Sequence, residues 1–101
     1  NTHYKEALLN ASLAVEKDSH NFAYLDTLAR IEARLGGRNE DMDFLQQAAK
    51  HIRQAQWRAF FLRSSMANEV RHSIDQMAYI IQQEILHKKE RRQLVPERIY
   101  P

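Results

Sequence analysis

The chain has 101 residues, of which 44% are hydrophobic and 28% charged, with a formal net charge of +2 and no cysteine. That is enough for one small domain with a modest core. It excludes disulfides and thiolate metal sites, and apolar runs of only a few residues, such as "AFFL" (59–62), exclude a membrane-spanning helix.

Glycine and proline number only two each, while alanine, leucine, glutamine, glutamate and arginine abound. This favours helix throughout, so the expected class is all-α, built of antiparallel helical hairpins followed by longer C-terminal helices. Residues 3–17 place Ala7, Leu8, Ala11, Ala14 and Val15 on one stripe of a first helix. "DSHN" (18–21) is turn-prone, and Ser19 or Asn21 is the expected cap of the next helix. That second helix is predicted over 21–35, with Leu25, Leu28, Ala29, Glu32 and Leu35 on its inner stripe and Gly36–Gly37 as its left-handed C-terminal cap. Asn39 is the expected N-cap of a third helix, with Glu40, Asp41 and Asp43 in its first turn.

After Gly37 there is no glycine or proline until Pro96. A single helix from Asn39 to that point, roughly 80 Å at about 1.5 Å per residue, does not suit a compact domain. A break is therefore placed near "SSMAN" (64–68), with Ser65 capping a fourth helix whose stripe is Met66, Val70, Ile74, Met77, Ile81 and Ile85. Lys88, Lys89, Arg91 and Arg92 suit a helix C-terminus. Pro96 biases Val95 towards an extended conformation, so 93–101 is read as an extended tail. Residues 1–92 then form a single helical domain.

A 34-residue offset aligns Leu8 with Met42, Ala11 with Leu45 and Ala14 with Ala48. With Leu25, Leu28, Ala29 and Gly36 as a first helix and turn, and Ala7 and Ala14 as the small positions of a preceding second helix, residues 4–53 resemble a tetratricopeptide repeat, about one and a half units of it. Residues 54–92 are then a helical cap. The sequence departs from the family at Ser19, where proline is usual, at Glu32, where an aromatic is common, and at the small position of the second unit, which falls on Asp41 or Met42. The resemblance implies a non-catalytic protein–protein interaction module that forms the terminal part of a larger protein. It also implies a concave groove whose first-helix positions are Asp26, Thr27, Arg30 and Arg34, the two arginines suiting a carboxylate or an acidic peptide. The alternative there is a solvated face with a local Asp26–Arg30 pair.

The third helix has a seam of Leu45, Ala48, Ile52, Ala55, Ala59 and Leu62, and nearly opposite it Lys50, Arg53, Trp57, Arg58 and Phe61. Burial of both sides between neighbouring helices is the structural expectation, with the bases snorkelling. The functional alternatives are a partner or homodimer face and a nucleic-acid face with Trp57 and Phe61 stacking on bases. Residues 1–43 hold eight acids and five bases, and 44–101 five acids and ten bases, so the halves differ in sign and an acidic partner is favoured. The near balance of the whole counts against nucleic acid.

Glu69–His72 and Glu84–His87 have Glu-x-x-His spacing. The two pairs stand about 22 Å apart on one predicted helix, so no metal and no other cofactor is expected. The five histidines are dispersed and read as surface residues. No nucleophile setting or phosphate loop is recognisable, so no enzyme is expected. With no cysteine and no span, the expected location is the cytoplasm, with no membrane partner. The chain starts at Asn1 rather than Met, which reads as a fragment or a processed product.

Overall fold

The computed structural model describes the backbone of residues 2–39 and 41–99 and the side chains of 3–39 and 41–91. The described residues form four helices and no strand: α1 (Thr2–Lys17), α2 (Phe22–Asn39), α3 (Met42–Ala59) and α4 (Ala67–Ile99). The all-α expectation holds.

Each helix packs against the next in the chain, and α2 also touches α4. The direction follows from the cross-links. Glu32 meets His51 and Gly36 lies on Leu45, so α3 runs antiparallel to α2. Gln56 reaches Asp75, and Arg71 reaches back to Ala59, so α4 is antiparallel to α3. Arg30 bonds Ser73 while Gly37 lies beside Glu84, so α2 and α4 run parallel, side by side, with α3 behind them.

Local chemistry sets the boundaries. Asn21 starts α2: its Oδ1 accepts the Ala23 and Tyr24 N–H groups at 2.9 and 3.2 Å, satisfying donors that have no helical partner. Asp41, not Asn39, caps α3, accepting from the N–H groups of Asp43 and Phe44. Asn39 is instead the last residue of α2, because α2 does not stop at its glycines. Glu40, expected in the first turn of α3, lies outside the described residues.

Gly36 and Gly37 are helical, and the reason for Gly36 is space rather than a left-handed turn. A Cβ at Gly36 would fall 2.7 Å from Leu45 Cγ and 3.0 Å from the Asp41 carbonyl oxygen. At Gly37 it would meet nothing closer than Glu84 Oε1 at 3.7 Å. Gly36 is thus where α3 enters against the end of α2.

The core is continuous through α2, α3 and α4. Leu25, Ala29, Leu45, Ala48, Ile52, Ala55, Ala59, Ile74 and Ile81 are sealed from solvent, and Val15 of α1 packs at its edge. The predicted stripes account for most of this. Met66 is an exception: it is exposed, and Ala67 takes the buried position. Within the α2 stripe, Glu32 is buried and bonds His51 Nδ1 at 2.6 Å. His51 is therefore half-buried between helices, not a surface residue.

The chain breaks where expected, though more widely, over 60–66. α3 ends in tight turns, with Phe61 N–H donating to Arg58 and Leu62 N–H to Ala59. Ser64, rather than Ser65, supplies the hydroxyl, which accepts Met66 N–H at 3.3 Å. Arg71 closes the corner by donating to the Leu62 carbonyl and to the Ala59 carbonyl, which also accepts the Leu62 N–H.

Two boundaries differ from expectation. The division at 53/54 falls inside α3, so the repeat-like part and the cap share one helix. α4 continues through Pro96 to Ile99, so 93–99 is helix rather than extended tail, and 100–101 lie outside the described residues. Proline removes one hydrogen bond and adds one local clash, and here the helix continues on both sides of it. Lys88, read with Lys89, Arg91 and Arg92 as a helix C-terminus, is buried one turn after Ile85 and continues the inner stripe, and α4 runs on past all four.

Candidate interaction cleft and aromatic end

Because α2 and α4 run side by side with α3 behind, a cleft opens between them. It measures about 310 Å³. Its floor is Leu45, Met77 and Ile81, with Ala33 and Ile80 at the sides. One wall carries Arg30, Arg34 and Arg38, spaced one turn apart along α2; Glu84 stands on the other.

The three arginines differ in what they already hold. Arg30 Nε donates to Asp26 Oδ1 at 2.8 Å, and its Nη2 donates to Ser73 Oγ at 3.0 Å. It is a strut between α2 and α4, and the expected local Asp26–Arg30 pair is real. Arg34 and Arg38 line the cleft and also engage Tyr4 of α1. Hydrogen bonding from Arg34, and then from Arg38, lowers the Tyr4 pKa below the ordinary phenol value, and the Arg38 guanidinium carbon lies 5.1 Å from the centre of the Tyr4 ring. Two cations therefore share the rim of the cleft with one aromatic face.

Of the four groove residues expected from sequence, Arg30 and Arg34 line this cleft. Asp26 is engaged with Arg30, and Thr27 is exposed outside the lining. Arg38 is lost to the sequence reading as long as Gly36–Gly37 is taken for a stop. Treated as helical, those glycines put Arg38 one turn beyond Arg34, and the ladder is legible.

The other predicted face lies at the far end of α3. Trp57 is 60% exposed and Phe61 58%, so burial on both sides of α3 does not occur. Neither α1 nor any other described helix packs over this face. Lys50 and Arg53 are exposed on the same side, and Arg58 is half-buried. Phe60, absent from the sequence expectation, joins them: its ring is near-parallel to Trp57 at 6.5 Å, and Phe61 stands edge-on to both. A hollow of about 470 Å³ adjoins Trp57, between α3 and the α1–α2 turn.

Among the described residues no group of three or more His, Asp or Glu side chains is placed to share a metal ion. No described helix is long and apolar enough to cross a membrane.

Fold and cleft together define an all-α protein of successive helical hairpins with an open amphipathic cleft. No protein family, curated protein or solved structure matches the chain.

Proposed function

We propose that this chain is a non-catalytic, tetratricopeptide-like protein–protein interaction module and part of a larger protein. The observation that carries the reading is the cleft. It is open, apolar on its floor, and cationic along one wall at Arg34 and Arg38. Such a site suits a peptide that places an aliphatic or aromatic side chain against Met77 and Ile81 and a carboxylate on the arginines.

The test is selection from a random peptide library displayed on phage. Enrichment of peptides that combine an acid with an apolar anchor, lost on Arg34→Glu with Arg38→Glu, supports the reading. Selection of nothing, or of peptides indifferent to those changes, removes it.

One observation favours a second reading, a homodimerisation module: the exposure of Trp57. Sedimentation equilibrium across concentration decides it. A mass that stays monomeric excludes it. A two-fold interface on that face also brings together two patches of the same sign, each with Lys50 and Arg53, which works against it.

A further inference from the structure

The aromatic end of α3 is used by neither the core nor the cleft. Trp57, Phe60 and Phe61 are 60, 67 and 58% exposed, and Met66, across the turn, is 53% exposed. The three rings pack on one another instead of into the interior. We propose that this end of the molecule docks on an anionic lipid bilayer, the rings entering the interface and Lys50 and Arg53 meeting the headgroups.

The aromatic turn has the right place in the molecule. It immediately precedes α4, which has 33 residues. A helix of that size is about 50 Å long, at roughly 1.5 Å per residue. That nearly spans the 58 Å longest dimension. The turn therefore sits at one end of the long axis, free to meet a plane end-on.

The bases lie at the right depth. Along α3, Arg53 and Lys50 stand about 6 and about 10 Å behind Trp57. A headgroup layer is roughly 5–7 Å thick on each side of the hydrocarbon. With Trp57 at the hydrocarbon boundary, Arg53 falls in that layer, and Lys50 stands about 3 Å or more outside it, a gap its long side chain can bridge. Amphipathic rings favour that boundary, and long basic side chains reach from it to phosphate.

The charge is complementary. Between Phe44 and Asn68 there are four bases, Lys50, Arg53, Arg58 and Arg63, and no acid. Glu69, in the first turn of α4, offsets one of them. An anionic surface matches this sign, whereas a second copy of the face does not.

Shape separates the bilayer from other anions. The rings protrude as knobs, and the adjoining hollow is bordered mostly by polar residues such as His20, Lys50 and Arg53, with Val15 and Trp57 among them. A folded partner would have to supply a deep apolar hole, whereas a lipid interface deforms around the rings. Bases of a single strand need free ring faces to stack on. Here Trp57 and Phe60 lie near-parallel, with Phe61 edge-on to both. No membrane-crossing helix is required, since surface docking relies on a few buried rings and nearby bases. The sequence expectation of no membrane partner rests only on the lack of a span. Docking at this end stands apart from the cleft.

The chain has one tryptophan, placed where it reports directly. Wild-type protein is titrated with vesicles of phosphatidylcholine containing about one-third phosphatidylserine, and with phosphatidylcholine alone, following Trp57 emission and co-sedimentation. The expected result is a blue shift and binding on the anionic vesicles, weakened by salt. Lys50→Glu with Arg53→Glu is expected to lower affinity at least about tenfold, each base near such a surface contributing appreciably. Phe60→Ala with Phe61→Ala lowers it as well. Both pairs are exposed, and circular dichroism checks that the helices persist. The proposal is overturned if neither vesicle binds, if both bind equally, if binding leaves Trp57 emission unchanged, or if the charge-reversed protein binds as wild type. Binding to an oligonucleotide or a polyglutamate peptide without binding to vesicles also overturns it and reassigns the face.

Discussion

The seam of α3 that faces α2 and α4, and the face of the same helix that carries Trp57, are both apolar, yet only one is sealed. The seam is mostly small: Ala48, Ala55 and Ala59 are fully buried beside Leu45 and Ile52. Small side chains let two neighbouring helices approach α3 at once, and Gly36 extends the same logic into α2. The other face carries three large rings, which need a deep receiving surface, and the described helices provide none. Side-chain volume, together with the bases Lys50, Arg53 and Arg58 on the Trp57 side, separates the sealed face from the open one.

Substitutions can break this comparison, and the largest effect is expected on the sealed side. Ile52→Ala removes a fully buried side chain from the three-helix junction and should cost about 2–5 kcal/mol in urea denaturation. The glycines should then split in sign. Gly36→Ala forces its Cβ into Leu45 and the Asp41 carbonyl, costing about 1–3 kcal/mol from overpacking, less up to about 1 kcal/mol regained as helix propensity. Gly37→Ala meets only ordinary contact and should stabilise by up to about 1 kcal/mol. Equal shifts at the two positions would show that α2 is not packed on Leu45 as described. At the open face, Trp57→Ala should change stability by no more than about 0.5 kcal/mol. A loss above about 2 kcal/mol is the mark of a buried ring, and would mean that both faces of α3 are sealed.

Much of this is legible in residue order. The stripes of α2 and α4, the cap at Asn21 and the break before Ala67 follow from periodicity and hydrogen-bonding chemistry that act within a few residues. What escapes depends on contacts between distant residues. A glycine needed for space and one needed for a left-handed turn look alike until a partner such as Leu45 is known. Confusing the two ends α2 early and hides Arg38. Trp57 fits a buried stripe as well as an exposed one, and only the placement of α1 decides between them. Met77 and Ile81 read as core from their spacing, but their second role as the cleft floor depends on α4 running beside α2. Pro96 signals a stop that α4 does not make.

The Glu32–His51 bond has a consequence for the register of the fold. The alanine part of the seam is smooth and does not by itself oppose a slide of one turn, about 5.4 Å; Leu45 over Gly36 does, and so does one buried polar pair. The polar pair does not tolerate this. A slide of one turn parts Glu32 from His51 and strands a carboxylate at a site that is almost closed to water. Removing the imidazole with His51→Ala should therefore do more than weaken the fold by about 1–3 kcal/mol. Amide resonances of α2 and α3 should double or broaden as alternative alignments become populated, while replacing both residues with leucine restores stability without restoring the single alignment. The alanines let α2 and α3 come together, and one buried polar pair, with Leu45 seated over Gly36, selects which alignment they keep.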